Sequence, residues 1–124
     1  MLRILGVQRS ETADLEFVLL QNQSSLRVQL KGHVIVSDTV VCSGNPCAGL
    51  HVFSDDVMIP AGMYVILYTG TGEARWSRTK DGQHVYHTYM ERTQPVWSNE
   101  PGPLHILATQ HTYQDRREMA FTAA

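Results

Sequence analysis

The sequence has only two cysteines, almost no net charge and no long apolar run. Its 124 residues include 10 Lys and Arg against 12 Asp and Glu, which gives a formal net charge of -2. Without a positive excess, binding to nucleic acid or to an anionic membrane requires a local patch. No apolar run approaches the roughly 18 residues of a membrane-spanning helix, and the chain start lacks the apolar region of a signal peptide. We therefore expect no membrane insertion and, if the sequence is complete, a cytoplasmic protein.

The few candidate metal ligands are poorly placed for a metal site. Cys42 and Cys47 are two thiols where a structural zinc site needs four ligands. They form either a local disulfide or two free thiols, and the missing export signal favours free thiols. His84 and His87 are close in sequence, but their spacing places them on opposite faces of a strand, as solvent-facing polar residues. We predict no metal site and no cofactor.

Helical periodicity is also absent, and strand-like runs take its place. The 43% hydrophobic and 18% charged residues fit one small domain spanning residues 1–124. Short apolar runs recur about every 8 to 15 residues, with Gly or Pro between them. This pattern is typical of an all-β, immunoglobulin-like antiparallel β-sandwich of about seven to eight short strands.

The predicted strands lie where apolar or β-branched residues cluster. They cover residues 2–7, 15–20, 26–30, 33–36, 51–53, 63–68 and 104–108, and residues 85–89 are predicted as a weak strand or a loop. The Ser-Gly-Asn-Pro segment within 39–50 is predicted as a loop. Residues 73–83 are polar, and residues 75–80 within them are predicted as a loop. Thr112 and Tyr113 begin an edge strand or a tail.

Several segments between about Glu16 and Leu107 follow a familiar order and spacing. They are Glu16–Asn22, Leu30–Gly32 with Val36–Asp38, Ile59–Gly62 before Tyr64–Tyr68 with Thr69-Gly70, and Pro95–Asn99 before Leu104–Leu107. Together they resemble a bacterial-type member of the lamin tail domain family, the immunoglobulin-like module of nuclear lamins and of many bacterial proteins.

The resemblance implies a recognition or assembly module that contacts protein or nucleic acid, often beside other domains. The family has no common catalytic residues, so the resemblance implies a non-catalytic protein. His33 stands where the family usually has an aromatic residue, and Ser98 where it usually has Asn. The usual Asp-x-x-Gly turn after Leu107 is replaced by residues 108–111, which makes the last hairpin the least typical part.

The strongest candidate site is a basic and aromatic patch after the predicted strand 63–68. It contains Arg75, Trp76, Arg78 and Lys80, with Arg92 further along the chain. Trp and Arg are enriched in protein-binding hot spots, and arginine beside an aromatic ring also binds nucleic acid. We expect a protein partner, with nucleic acid as the alternative. The plainer interpretation is a solvated loop whose Trp76 folds back on the sandwich, with nearby acids neutralising the arginines.

Other features predict ordinary structure more than chemistry. Asp55 and Asp56 are adjacent, and we expect turn residues there in preference to part of a calcium site. No Gly-x-Ser-x-Gly elbow is present, and no helix start lowers a cysteine pKa, so we expect no enzyme. Trp97 is expected to be a packing residue. A homodimer formed by pairing of strand edges remains open.

Overall fold

The computed structural model describes residues 1–44 and 49–108, and in these ranges the chain forms mostly β-strands. The elements are β1 (Leu2–Gln8), β2 (Phe17–Asn22), β3 (Val28–Gln29), β4 (His33–Ser37), α1 (Asp38–Ser43), β5 (Leu50–Val52), β6 (Met58–Ile59), β7 (Tyr64–Tyr68), β8 (Arg75–Arg78), β9 (His84–Tyr89) and β10 (Leu104–Ala108). The predicted all-β class is confirmed, but the described residues form ten strands where about seven to eight were expected, because β6 and β8 lie outside the apolar runs that predict strands. The strand or tail predicted at Thr112 and Tyr113 lies outside them.

The strands form one large sheet and two smaller ones. The large sheet has the order β1-β2-β7-β9-β8, the second has the order β10-β4-β5, and β3 pairs with β6. Every pair is antiparallel except β7 and β9, which run parallel. The expectation of a purely antiparallel fold is wrong at this pair. The β8–β9 hairpin packs against β7 through its second strand, so the strand beside β7 runs in the same direction.

The hydrophobic core lies between the large sheet and the smaller sheets. Along β2 and β7 successive side chains alternate between the two faces. Val18, Leu20, Val65 and Leu67 are fully buried, and the residues between them are half-buried on the outer face. The other layer and its loops contribute Leu30, Ile35, Phe53, Ile59 and Trp97. This alternation gives the large sheet an inner face that is apolar and an outer face that meets solvent.

The short helix α1 occupies part of the segment that was predicted as a loop. The Ser37 hydroxyl accepts a hydrogen bond from the Val40 N–H at 3.4 Å, and Gly44 ends the helix in the left-handed conformation with φ 72°. These are ordinary helix start and stop signals, but six residues are too few to show helical periodicity. Cys42 is an exposed free thiol on this helix, and Cys47 lies outside the described residues. No helix in the described ranges is both long and apolar enough to cross a membrane.

A buried carboxylate joins the start of β2 to the segment before β10. Glu16 is fully buried, and its Oε1 accepts hydrogen bonds from the Val96 and Trp97 N–H groups at 2.9 Å each and from the Thr69 hydroxyl at 2.7 Å. Its Oε2 accepts from the Ser98 N–H at 2.9 Å. A carboxylate only accepts hydrogen bonds, so it matches this set of donors. Two segments far apart in sequence are thereby held together.

Asn22 makes a similar connection at the other end of β2. Its Nδ2 donates to the carbonyl oxygens of Leu26 at 2.8 Å and Ile59 at 2.9 Å. Its Oδ1 accepts from the hydroxyl and the N–H of Ser24. The side chain is fully buried, so these bonds satisfy groups that solvent cannot reach.

His51 on β5 is expected to make the fold less stable in mild acid. Burial lowers its pKa to about 4. The negative charge of Asp55 opposes this shift in part, and the positive charge of Arg92 adds a smaller lowering. The Nε2 atom is buried without a hydrogen-bond partner in the described ranges. Because the unfolded chain takes up the proton near pH 6.5, stability falls as the pH drops from about 6.5 towards 4, by roughly 2 kcal/mol after allowance for partial exposure.

Urea unfolding of a His51→Gln variant at several pH values tests this expectation, because glutamine does not titrate. The variant should lose most of the pH dependence between pH 6.5 and 5. His33→Gln is the matched control and should retain that dependence. Equal pH dependence in the wild-type protein and in His51→Gln would contradict the assignment.

Candidate functional site

The five residues of the predicted site belong to a β-hairpin and its surroundings, not to one loop. Arg75, Trp76 and Arg78 lie on β8, which pairs only with β9 in the described part of the chain. Lys80 follows in the turn towards β9, and Arg92 lies beyond the end of β9. The prediction of a loop over residues 75–80 is therefore wrong at 75–78. The segment has no apolar alternation, and its pairing with β9 makes it a strand.

The register of β8 and β9 separates the predicted residues onto two faces of the sheet. Arg75 lies opposite His87 and Trp76 opposite Tyr86. Because side chains alternate along a strand, Arg75 and Ser77 project from the outer face, and Trp76 and Arg78 from the inner face. The predicted patch is therefore an edge strand with one arginine on each side of the sheet.

A hydrogen-bonded network holds the outer face of this edge together. The guanidinium of Arg75 donates to the Tyr89 hydroxyl at 2.7 Å. The Ser77 hydroxyl lies 2.7 Å from His87 Nε2, and His87 Nδ1 lies 3.0 Å from the Tyr68 hydroxyl. The rings of Tyr68 and Tyr89 stack with centroids 4.9 Å apart. Side chains thus connect β8, β9 and β7 on this face.

The pKa values of His87 and Tyr68 in this network are both shifted in the direction that favours the neutral side chain. Burial, and secondarily the charge of Arg75, lower the pKa of His87. Burial and the neighbouring Tyr89 raise the pKa of Tyr68. The positive charge of Arg75 lowers it by a smaller amount. Sequence reasoning missed this role and placed His87 in solvent, but its side chain is only 9% exposed. The predicted separation of His84 and His87 onto opposite faces is confirmed by the strand register.

On the inner face Trp76 covers the end of the core without being buried in it. Its ring centroid lies 5.2 Å from that of Tyr86 and 6.3 Å from that of His84, and the residue remains 41% exposed. The Tyr86 hydroxyl donates to Asp55 at 2.9 Å, as does the Thr88 hydroxyl. Burial and this hydrogen bond raise the pKa of Tyr86 to about 12. Trp76 therefore folds back in part, and a large part of its side chain still meets solvent.

The cations of the site have no acidic partners in the described ranges. The only contact there between an acid and a side chain that can carry a positive charge joins His105 to Asp38 at 2.9 Å, so Glu73, Asp81 and Glu91 form no salt bridge with the arginines. The expected neutralisation by these acids does not occur through contact. Positive charge is thus available to a partner along β8 and its turn.

Two open concavities lie at the end of the sheet where β7 and β9 terminate. One, of about 360 Å³, is lined by Arg75, Tyr68, Tyr89, Gly70, Thr71 and Asp14. The other, of about 220 Å³, contains Arg92 and shares Asp14 and Thr71 with the first. Arg92 therefore belongs to the surroundings of Arg75 and is separate from Trp76 and Arg78.

The remaining candidates have structural roles in the described residues. Asp55 accepts hydrogen bonds from Tyr86 and Thr88, and Asp56 accepts one from Gln29 at 2.8 Å. No three His, Cys, Asp or Glu side chains within 1–44 and 49–108 converge on a point where a metal ion could bind. The two aspartates thus connect neighbouring segments.

Comparison of the chain with family models, curated proteins and solved structures finds no match.

Proposed function

We propose that the chain is a non-catalytic binding module of the lamin-tail, immunoglobulin-like type that contacts another protein through the β8–β9 hairpin. The observation that carries the proposal is the edge strand β8, which within the described ranges has a strand partner on one side only, a 41% exposed tryptophan and cations without an acidic partner. Exposed Trp and Arg side chains dominate the binding energy of many protein interfaces. A tryptophan surrounded by cations fits a partner surface in which acidic residues surround an apolar centre.

Contacts between the resembling segments support the lamin-tail part of the proposal. Glu16 opens the first of these segments and accepts hydrogen bonds from residues 96–98 of the last. Asn22 ends the first segment and donates to the carbonyl of Ile59 at the start of the third. Residues that carry the resemblance are thus connected through buried polar side chains.

Nucleic acid is the second candidate, favoured by one observation. Arg75 is hydrogen-bonded to Tyr89, whose ring stacks on Tyr68 at the edge of an open concavity. An arginine beside aromatic rings is able to contact a phosphate while a base stacks. This candidate predicts binding that weakens steeply with salt.

The Trp76→Ala variant is expected to lose most of the partner affinity. The test uses a partner captured from the source cell, then purified, and its Kd is measured with each variant. Removal of a hot-spot tryptophan costs about 2 kcal/mol, roughly a 30-fold rise in Kd. Leu26→Ala is the matched control, because Leu26 is an exposed apolar residue remote in sequence from the hairpin.

Equal affinity of the Trp76→Ala variant and the wild-type protein for the purified partner would overturn the proposal. Fluorescence anisotropy with labelled single-stranded DNA tests whether the chain binds nucleic acid, which is the second candidate function. Salt-sensitive DNA binding that is lost when Arg75, Arg78 and Lys80 are all replaced by Ala would make nucleic acid the ligand.

A further inference from the structure

The hydrogen-bond alternation of the β8–β9 hairpin determines which backbone groups of β8 have no partner within residues 1–44 and 49–108. The Thr79 N–H donates to the Gln83 carbonyl at 2.9 Å, which makes this a hydrogen-bonded pair. Antiparallel pairs alternate between bonded and non-bonded types, so Ser77 and Arg75 also direct their backbone groups towards β9. The N–H and C=O groups of Trp76 and Arg78 therefore point away from the sheet. A short row of donors and acceptors faces solvent.

We propose that β8 binds its partner by strand addition, in which an extended acidic segment of the partner protein pairs antiparallel with β8. The inference rests on the proposed function and specifies how the hairpin recognises its partner. The segment would exchange hydrogen bonds with the backbone of Trp76 and Arg78 and become the sixth strand of the large sheet. Strand addition of this kind obtains affinity from the main chain and specificity from alternate side chains.

The side chains of β8 define the sequence of the added strand. Side chains directly opposite each other on neighbouring strands lie on the same face and interact. An acidic residue fits opposite Arg75 on the outer face, and another fits opposite Arg78 on the inner face. A β-branched or aromatic residue fits opposite Trp76, and a small polar residue opposite Ser77. Read from its N-terminus, the partner segment is acidic, small polar, apolar, acidic.

The position opposite Arg75 should contribute most to charge recognition. In the extended sheet Arg75 and its new neighbour form a non-hydrogen-bonded pair, in which Cα atoms approach to about 4.5 Å in place of about 5.5 Å. The Tyr89 hydroxyl already orients the guanidinium, and Ser77 is held by His87. This order in the free protein reduces the entropy cost of binding.

A second copy of the chain is a poorer occupant of the same edge. Pairing of two β8 strands would bring Arg75, Arg78 and Lys80 of both copies together, and neither strand carries an acid. Like charges on adjacent strands are destabilising. An acidic segment removes this repulsion and replaces it with attraction.

The probe is the peptide acetyl-Thr-Glu-Thr-Val-Glu-Thr-amide, titrated into the ¹⁵N-labelled full chain. Its valine lies opposite Trp76, its middle threonine opposite Ser77, and its glutamates opposite Arg78 and Arg75. Strand addition predicts that the amides of Trp76 and Arg78 shift and exchange more slowly with solvent, and that the Ser77 amide changes little. Two N-methylated peptides provide a matched pair.

N-methylation of the valine removes an N–H that would donate to β8, and we expect at least a tenfold rise in Kd. N-methylation of the middle threonine blocks an N–H that points away from β8, and the peptide should bind nearly as well as its parent. Arg75→Gln should weaken the parent peptide severalfold and have much less effect on a peptide whose second glutamate is replaced by glutamine.

Equal binding of the two N-methylated peptides, or no binding of the parent peptide, would overturn strand addition. If the purified partner still discriminates Trp76→Ala from Leu26→Ala, the hairpin remains the binding site and only the mode is wrong. If it does not, the proposed function itself fails. Sedimentation also tests whether the chain self-associates and whether the parent peptide reverses this association. Both results together would show that a second copy binds the edge, and they would overturn the proposal of an acidic partner segment.

Discussion

Replacement of Glu16 by Gln is expected to lower the free energy of unfolding by about 3 kcal/mol. Both carboxylate oxygens accept from buried or half-buried donors, including the N–H groups of residues 96–98. Glutamine keeps the shape of the side chain but directs an NH₂ group at one set of these donors. At least one backbone N–H then loses its acceptor in a place that water does not reach freely.

Urea unfolding followed by fluorescence measures this loss. Glu11→Gln is the matched control, because Glu11 is an exposed acid close in sequence and should change stability by less than about 0.5 kcal/mol. Should Glu16→Gln fail to fold, Thr69→Val provides a milder test, since it removes one donor to Oε1 and should cost about 1 kcal/mol. A Glu16→Gln variant as stable as Glu11→Gln would contradict the role of this carboxylate.

Replacement of Trp97 by Ala is expected to cost about 4 kcal/mol, whereas Trp97→Phe should cost about 1 to 2 kcal/mol. Trp97 is fully buried and packs in the core cluster. Alanine leaves a large cavity, but phenylalanine still fills much of it. The indole Nε1 has no hydrogen-bond partner in the described ranges, so phenylalanine loses no such bond.

Paired denaturation curves for Trp97→Ala and Trp97→Phe separate ring volume from hydrogen bonding. Equal losses in the two variants would contradict the assignment of this stability to the ring volume that fills the core. The Trp97 N–H donates to Glu16, so Glu16→Gln and Trp97→Phe act on the same segment. Their effects should therefore not add, and the double variant should lose less than the sum.

Much of the sheet was predictable because its strands carry strong local patterns. The apolar runs that predict strands at 15–20, 63–68 and 104–108 correspond to β2, β7 and β10. β8 was not predictable in this way, because Arg75, Trp76, Ser77 and Arg78 show no apolar alternation. The segment became a strand through its neighbour β9, and only then did its arginines separate onto two faces.

The sequence also identified the residues of the candidate site without their arrangement. The chemistry of Arg75, Trp76 and Arg78 predicts a binding site, and the three residues lie together on one exposed edge. The sequence does not predict the roles of Tyr68, Tyr89 and His87, which orient this edge. Their contacts depend on a parallel pairing of β7 with β9 that no local pattern indicates.

By itself the sequence determined the all-β class and the position of most core strands, because alternation and turn residues act over a few positions. The tertiary structure decided the burial of Glu16, since the N–H groups that stabilise its carboxylate come from residues 96–98. It also decided which strand lies at the edge, since either strand of the β8–β9 hairpin has the geometry to pair with β7. The burial of Glu16 and the position of the edge strand both depend on contacts between residues that are distant in the chain. Local sequence patterns do not indicate such contacts.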